Sequence, residues 1–266
     1  MAAIPTVGDR LVEYVRRHPA VFIPRNGARI AQSEAEGVSG KQRKILKEIP
    51  FQLEPEAVIK LLHLRTAQPR IENKMRELVK NILPLAKPKA LYKVSYIENK
   101  ATDSLEIDGV KFTSHVLRTN LDKVERVFPY VITCGKEIES YDAGKDLMTN
   151  YCLDAIKISL VASSAGYLVN YITKKYALGQ VSSMNPGSLP DWPLAQQKQL
   201  FALFGNAEAE IGVRLSEGSI IYPLKSISGI YFPTEVKFES CQLCQREKCI
   251  GRRAAFSAEL VEKYNK

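Results

Sequence analysis

Histidine and tryptophan are scarce in this chain: its 266 residues hold three of the first and one of the second, Trp192. Three histidines leave little room for an all-histidine metal site, and the zinc-protease pattern His-Glu-x-x-His is absent. Long apolar runs are missing too. The most apolar region, Ile156 to Ile172, is flanked or broken by Asp154, Lys157, Ser163, Ser164 and Asn170, short of the roughly 20 apolar residues that span a bilayer. No apolar stretch follows Arg10, Arg16 and Arg17, so the start does not read as a secretory signal. Gly-x-Gly-x-x-Gly and Gly-x-Ser-x-Gly do not occur, and Gly40-Lys41 fails the phosphate-loop pattern because Ala35 and Gln42 stand at its fixed positions. Cysteine is limited to five, an odd number with three near one end, which argues against an extracellular disulfide framework. A cytoplasmic protein without a membrane partner is the expectation.

What remains is an ordinary globular composition, 45% hydrophobic and 25% charged. A chain of this length can bury roughly three-quarters of its unfolded surface, so it needs no staple in order to fold. Lys and Arg outnumber Asp and Glu by 38 to 29. The excess is spread along the chain: residues 1–48 carry nine basic against five acidic side chains, and the remainder 29 against 24. Nucleic-acid binding wants a single basic face with a recognisable motif. Neither is visible, so no nucleic-acid partner is expected.

Four regions follow from the punctuation. Residues 1–48, interrupted by Gly8, Pro19, Pro24, Gly27, Gly37 and Gly40, read as a weakly structured extension with short helical patterns at Arg10–Arg17 and Gln42–Ile49. Residues 49–89 form a helical lead-in: Pro55 suits a first helical turn, and Met75, Leu78, Ile82 and Leu85 share a face over Ile71–Leu85. Residues 90–238 make the body. Its strands are Ala90–Ile97, a hairpin of Leu105–Ile107 and Val110–Phe112 about Asp108-Gly109, and Val127–Thr133. A helix over about Lys145–Tyr176 carries a stripe of Met148, Tyr151, Ala155, Ile158, Ala162, Ala165, Val169 and Ile172. The small residues Ala162 to Gly166 would admit a close neighbour. A helix over Pro193–Phe204 precedes β-like segments at Glu210–Leu215, Ser219–Tyr222 and Ser226–Phe232. Residues 239–266 are a cysteine-rich tail with a final helix. Helices before and between antiparallel strands favour an α+β fold, a twisted antiparallel sheet flanked by helices with one long central helix.

Two segments stand out chemically. Ser182 to Pro193 holds three prolines, Gly187 and Trp192, and reads as a rigid loop with exposed backbone groups, serving either a ligand or simple helix connection. Gly212 to Phe232 places Ser226, Ser228 and Gly229 between Tyr222 and Tyr231, a setting for a flat ligand over a sheet or for two core strands joined at a proline.

Together they resemble the activation domain of cobalamin-dependent methionine synthase, whose Pro-Gly loop precedes a strand pair fitted here by Gly212, Leu215, Ser216, Glu217, Tyr222, Pro223, Ser226, Ser228, Gly229, Tyr231 and Phe232. The resemblance covers roughly Ala90 to Phe238. It implies that fold and a role in reductive reactivation: reduced cobalamin, carried by a separate methyltransferase or corrinoid protein, is methylated by S-adenosylmethionine (AdoMet), with a flavodoxin or ferredoxin as electron donor. The implied cofactor-binding residues are Ser183, Asn185, Pro186, Gly187, Ser188, Trp192, Tyr222, Ser226, Ser228, Gly229 and Tyr231. Three positions depart from the family pattern: Ser183 where an arginine contacts AdoMet, Ser188 where a tyrosine follows Pro-Gly, and Phe238–Glu239 where a further tyrosine is not retained. Serine cannot reproduce a bidentate charge-assisted bond to a carboxylate, which keeps a second reading open: a non-enzymatic corrinoid-protein binding module that has lost AdoMet. The tail adds Cys241-x2-Cys244-x4-Cys249. These three are candidate ligands for zinc or an iron–sulfur cluster, with Cys134, Cys152 or a histidine to complete the set; unligated thiols are the alternative.

Overall fold

The computed structural model describes residues 43–62, 69–246 and 252–264. The helical pattern at Arg10–Arg17 and the thiol of Cys249 lie outside them. In chain order the elements are β1 (Arg43–Leu46), α1 (Pro55–Leu61), α2 (Pro69–Ile82), β2 (Lys89–Lys93), β3 (Ser95–Lys100), β4 (Ser104–Ile107), β5 (Val110–Thr113), α3 (His115–Asn120) and β6 (Arg126–Thr133). There follow α4 (Leu147–Lys175), β7 (Val181–Met184), α5 (Gln197–Ala202), α6 (Ala207–Ile211), β8 (Arg214–Leu215), β9 (Ile221–Tyr222), β10 (Ser226–Pro233) and α7 (Ala258–Tyr264).

β6 explains the architecture. Its sequence Arg-Val-Phe-Pro-Tyr-Val-Ile-Thr is buried from Val127 onward, as expected of a strand covered on both faces. Phe128, Tyr130 and Ile132 point into one core, and Val127 and Val131 into the other. β6 pairs antiparallel with β2 and β3 along one edge and with β10 along the other, while β7 adds to β10. β2 and β3 keep one register against β6, from Lys89 opposite Thr133 to Tyr96 opposite Arg126. The ladder lapses at Lys93–Val94, where the same register brings up Pro129, which has no N–H to donate. Beyond that lapse the outer edge changes partner, from β1 to β4. The result is an eight-stranded antiparallel sheet with helices on both faces, the expected α+β arrangement around a long central helix.

One face is covered by α1, α2 and α4. Ile71, Met75, Leu78, Val79 and Ile82 of α2 are buried there, with Leu85 packed against them. At 1.5 Å per residue the 29-residue α4 is roughly 43 Å long. Its bounds agree closely with expectation but its burial does not form a single stripe: from Cys152 to Ser164 only Asp154 escapes burial, whereas Met148 is 36% exposed. The middle of α4 is enclosed by α1 and α2 as well as by the sheet. Among the described residues a Cβ added at Gly166 would meet nothing within 4 Å, so none of them approaches closely there. α4 is long and apolar enough overall to cross a membrane despite its interruptions, yet 72% of its most apolar window is buried inside protein, the environment of a core helix.

The opposite core gathers Leu105, Ile107 and Phe112 of the β4–β5 hairpin with Leu117, Trp192, Leu200, Phe204, Ile211, Ile230 and Phe232. The hairpin turns at Asp108 (φ 49°) and Gly109 (φ 80°), the twin positive φ angles of a tight two-residue turn.

Three local readings are corrected. Arg43–Leu46 is a strand rather than part of a helix over Gln42–Ile49, because β2 offers it an open edge. Val181–Met184, read as loop, is a strand held by β10. The segment from Glu210 begins as the end of α6, which stops at Gly212 with φ 74°, a left-handed helix end that suits glycine.

Candidate functional site

The alternation of β10 sorts the predicted residues onto two faces. Gly229 and Tyr231 face the α4 side, while Ser226 and Ser228 share the other face with Ile230 and Phe232. They therefore do not line one ligand surface together.

On the α4 side a row runs across the sheet from Tyr92 to Tyr130 to Gly229. The same register carries it to Asn185, one residue past β7. Asn185 reaches back over the glycine: its Nδ2 donates to Tyr130 OH at 2.8 Å and to Ser228 O at 2.5 Å. A Cβ at residue 229 would lie 2.5 Å from that Nδ2, 2.5 Å from Met184 O and 2.8 Å from Tyr130 OH. The bare backbone of Gly229 is thus what lets the Pro186-Gly187 loop seat on the sheet. Beside it the rings of Tyr130 and Tyr231 stack with centroids 4.1 Å apart and 18° between planes. Both tyrosines are buried, and so is Ser183, opposite Tyr231 in the ladder. The slot expected for a flat ligand is filled here by the chain's own rings. Tyr130 is the participant that the sequence reading missed; only the register of β6 against β10 reveals it.

The loop itself is tightly bonded. Asn185 O accepts from Ser188 N at 3.1 Å and from Ser188 Oγ at 2.6 Å, and Gly187 N donates to Trp192 O at 2.7 Å. Gly187 has φ 82° and a Cβ there would sit 3.1 Å from Leu194 Cδ1. Pro186 is buried, whereas Gly187, Ser188, Pro190 and Asp191 are exposed. Trp192 is wholly buried against Phe112, edge to face at 6.3 Å, which makes it a packing anchor. Asp191, also missed, accepts from Ser114 Oγ and from the backbone N–H groups of His115 and Val116 at 3.1 Å, tying the loop to the start of α3.

On the other face Ser228 Oγ donates to Gln197 Oε1 at 2.5 Å, Gln197 Nε2 reaches Ser219 O at 3.4 Å, and Ser226 Oγ donates to Thr133 Oγ1 at 3.0 Å. The first two bonds lock α5 and the β8–β9 turn to the sheet, and the third joins β10 to β6. Tyr222 belongs to the separate β8–β9 pair, 37% exposed under the Arg214 guanidinium at 4.7 Å.

The tail is anchored on β7 and on the loop that follows it. Phe238 N donates to Ser182 Oγ at 2.9 Å, and the hydroxyls of Ser240 and Ser188 are 3.3 Å apart. Cys241 and Cys244 follow, both half-buried. Among the described residues no group of three or more His, Cys, Asp or Glu side chains is placed to hold a metal. Cys134 and Cys152 lie in the core on the α4 side, whereas Leu243, between the two tail cysteines, packs on the opposite core, so they do not complete a site with Cys241 and Cys244. Burial pushes the Cys134 thiol up to about 12, against the pull of Lys157.

No protein-family model and no curated protein matches the sequence. Thirteen chains of solved structures do match in fold. One is the crystal structure of the MetH reactivation domain bound to AdoHcy, at a TM-score of 0.52 and 14% identity over 75% of this chain and 81% of that one. The chain shares the fold of that reactivation domain.

Proposed function

We propose that the protein serves the reductive reactivation of a cobalamin-dependent methyltransferase, methionine synthase or a related corrinoid protein, by binding AdoMet at the Asn185–Ser188 loop. The observation that carries this reading is the seating of the Pro186-Gly187 loop on the Ser226–Tyr231 strand through Asn185, Gly229 and Tyr130, in the fold of a domain solved with AdoHcy. Gly187 and Ser188 are exposed residues of this loop, and Asn185 and Tyr130 hold the loop in place. AdoMet, when bound, supplies the methyl group.

Ser183 favours the second reading. It is 6% exposed inside the β7–β10 ladder, at the position where a carboxylate-binding arginine would be expected, and the adjoining sheet face is closed by the Tyr130–Tyr231 stack. On that reading the protein docks a corrinoid protein without using AdoMet.

Calorimetric titration separates the two. Saturable AdoMet binding, weakened about tenfold by Asn185→Ala through loss of its two hydrogen bonds, supports the first. Absence of AdoMet binding with retained affinity for a cobalamin-loaded methyltransferase supports the second, and affinity for neither overturns both.

A further inference from the structure

The tail contains a dithiol built from described residues alone. Cys244 N donates to Cys241 O at 3.3 Å, closing a turn whose ends lie within about 7 Å at Cα, the Cα separation that a disulfide requires. The turn is fixed from outside. The Arg252 guanidinium donates to the carbonyls of Cys241 (3.0 Å), Cys244 (2.9 Å), Arg246 (2.5 Å) and Ala254 (3.2 Å). Arg253 N points at Cys241 Sγ from 3.3 Å and holds that sulfur in position. Both thiols are free and half-exposed, whereas Cys134 and Cys152 are buried.

We propose that Cys241 and Cys244, both half-exposed, are a thiol–disulfide exchange site that reduces a small soluble disulfide, for which oxidised glutathione serves as the probe. The Cys241 sulfur, as thiolate, attacks one sulfur of the substrate disulfide. A mixed disulfide forms and the first thiolate leaves. Cys244, giving up its proton, attacks Cys241 Sγ and expels the second thiolate. The protein gives up two protons and two electrons, and the substrate disulfide takes them up to become two thiols. This assignment is independent of the methyl-donor reading.

The test uses the full chain, incubated with oxidised glutathione, alkylated and digested with trypsin without reduction. Lys237 and Arg246 bound a peptide, Phe238 to Arg246, that carries both cysteines, while Cys249 falls in another. The expected product is this peptide lighter by two hydrogens, formed equally in Cys249→Ser and abolished both in Cys241→Ser, which lacks the attacking thiol, and in Cys244→Ser, which stops at the mixed disulfide. A peptide that stays alkylated at both thiols, a stable glutathione adduct in the unaltered chain, or a cross-link to another cysteine overturns the proposal.

Discussion

Gly229 occupies a position that no other residue can fill without displacing its neighbours. Two of the three atoms that crowd it, Met184 O and Tyr130 OH, belong to a flanking strand and a buried ring, so neither yields cheaply. Gly229→Ala is expected to destabilise the protein by about 2–3 kcal/mol and to release Asn185 from Tyr130; urea denaturation measures the first effect. Asn185→Ala keeps the glycine and removes only the bonds to Tyr130 and Ser228, at a cost of about 1–2 kcal/mol. At this scale the sequence is partly legible. Period-two alternation alone separates Gly229 and Tyr231 from Ser226 and Ser228. That Asn185 would bridge to Tyr130, 55 residues away, depends on two strand registers that local pattern does not specify.

The β4–β5 hairpin illustrates how an element is held. Its turn residue Asp108 meets Lys93 Nζ at 2.7 Å, with side chains 3% and 8% exposed. Burial works against the Asp108 carboxylate, but bonds from Lys93, Ser95 and the Tyr96 N–H outweigh it and hold its pKa below the usual range. The unfolded chain therefore takes up this proton first. The pair's contribution is full above about pH 4 and is lost as pH falls through the lower folded value. Asp108→Asn strands the Lys93 charge and should cost about 3 kcal/mol at pH 7; the gap from the unaltered protein should narrow in urea denaturation at pH 3. The elements that the sequence announces are those with strong internal signals: α2 and α4 by periodicity, the hairpin by Asp108-Gly109, and β6 by its apolar run. β1 and β7 are four residues each, too short to announce themselves, and exist because β2 and β10 supply edges. α6 shows the reverse: Asn206 caps it by accepting from Ala209 N at 3.0 Å, and that cap decides against a strand.

For the molecule as a whole, β6 and its neighbours place side chains in two cores through one backbone. Ile132 lies in the core on the α4 side and Ile230, on the adjacent strand, in the core that holds Trp192. The two cores should accordingly melt together. Ile132→Ala and Ile230→Ala are each expected to cost about 2–5 kcal/mol. Both should lower the midpoint seen by Trp192 fluorescence as much as that seen by far-UV circular dichroism, although only one of them shares a core with the tryptophan; separated transitions would contradict a single cooperative unit. The common register of Lys89–Tyr96 against β6 has another outcome. Because β1 and β4 read successive halves of the same strand, adding or deleting one residue near Val94 would turn every side chain of β3 to the opposite face while leaving β2 in place. Homologous sequences should therefore tolerate length variation around this sheet at the connections to its strands, and not along the segment that joins its two halves.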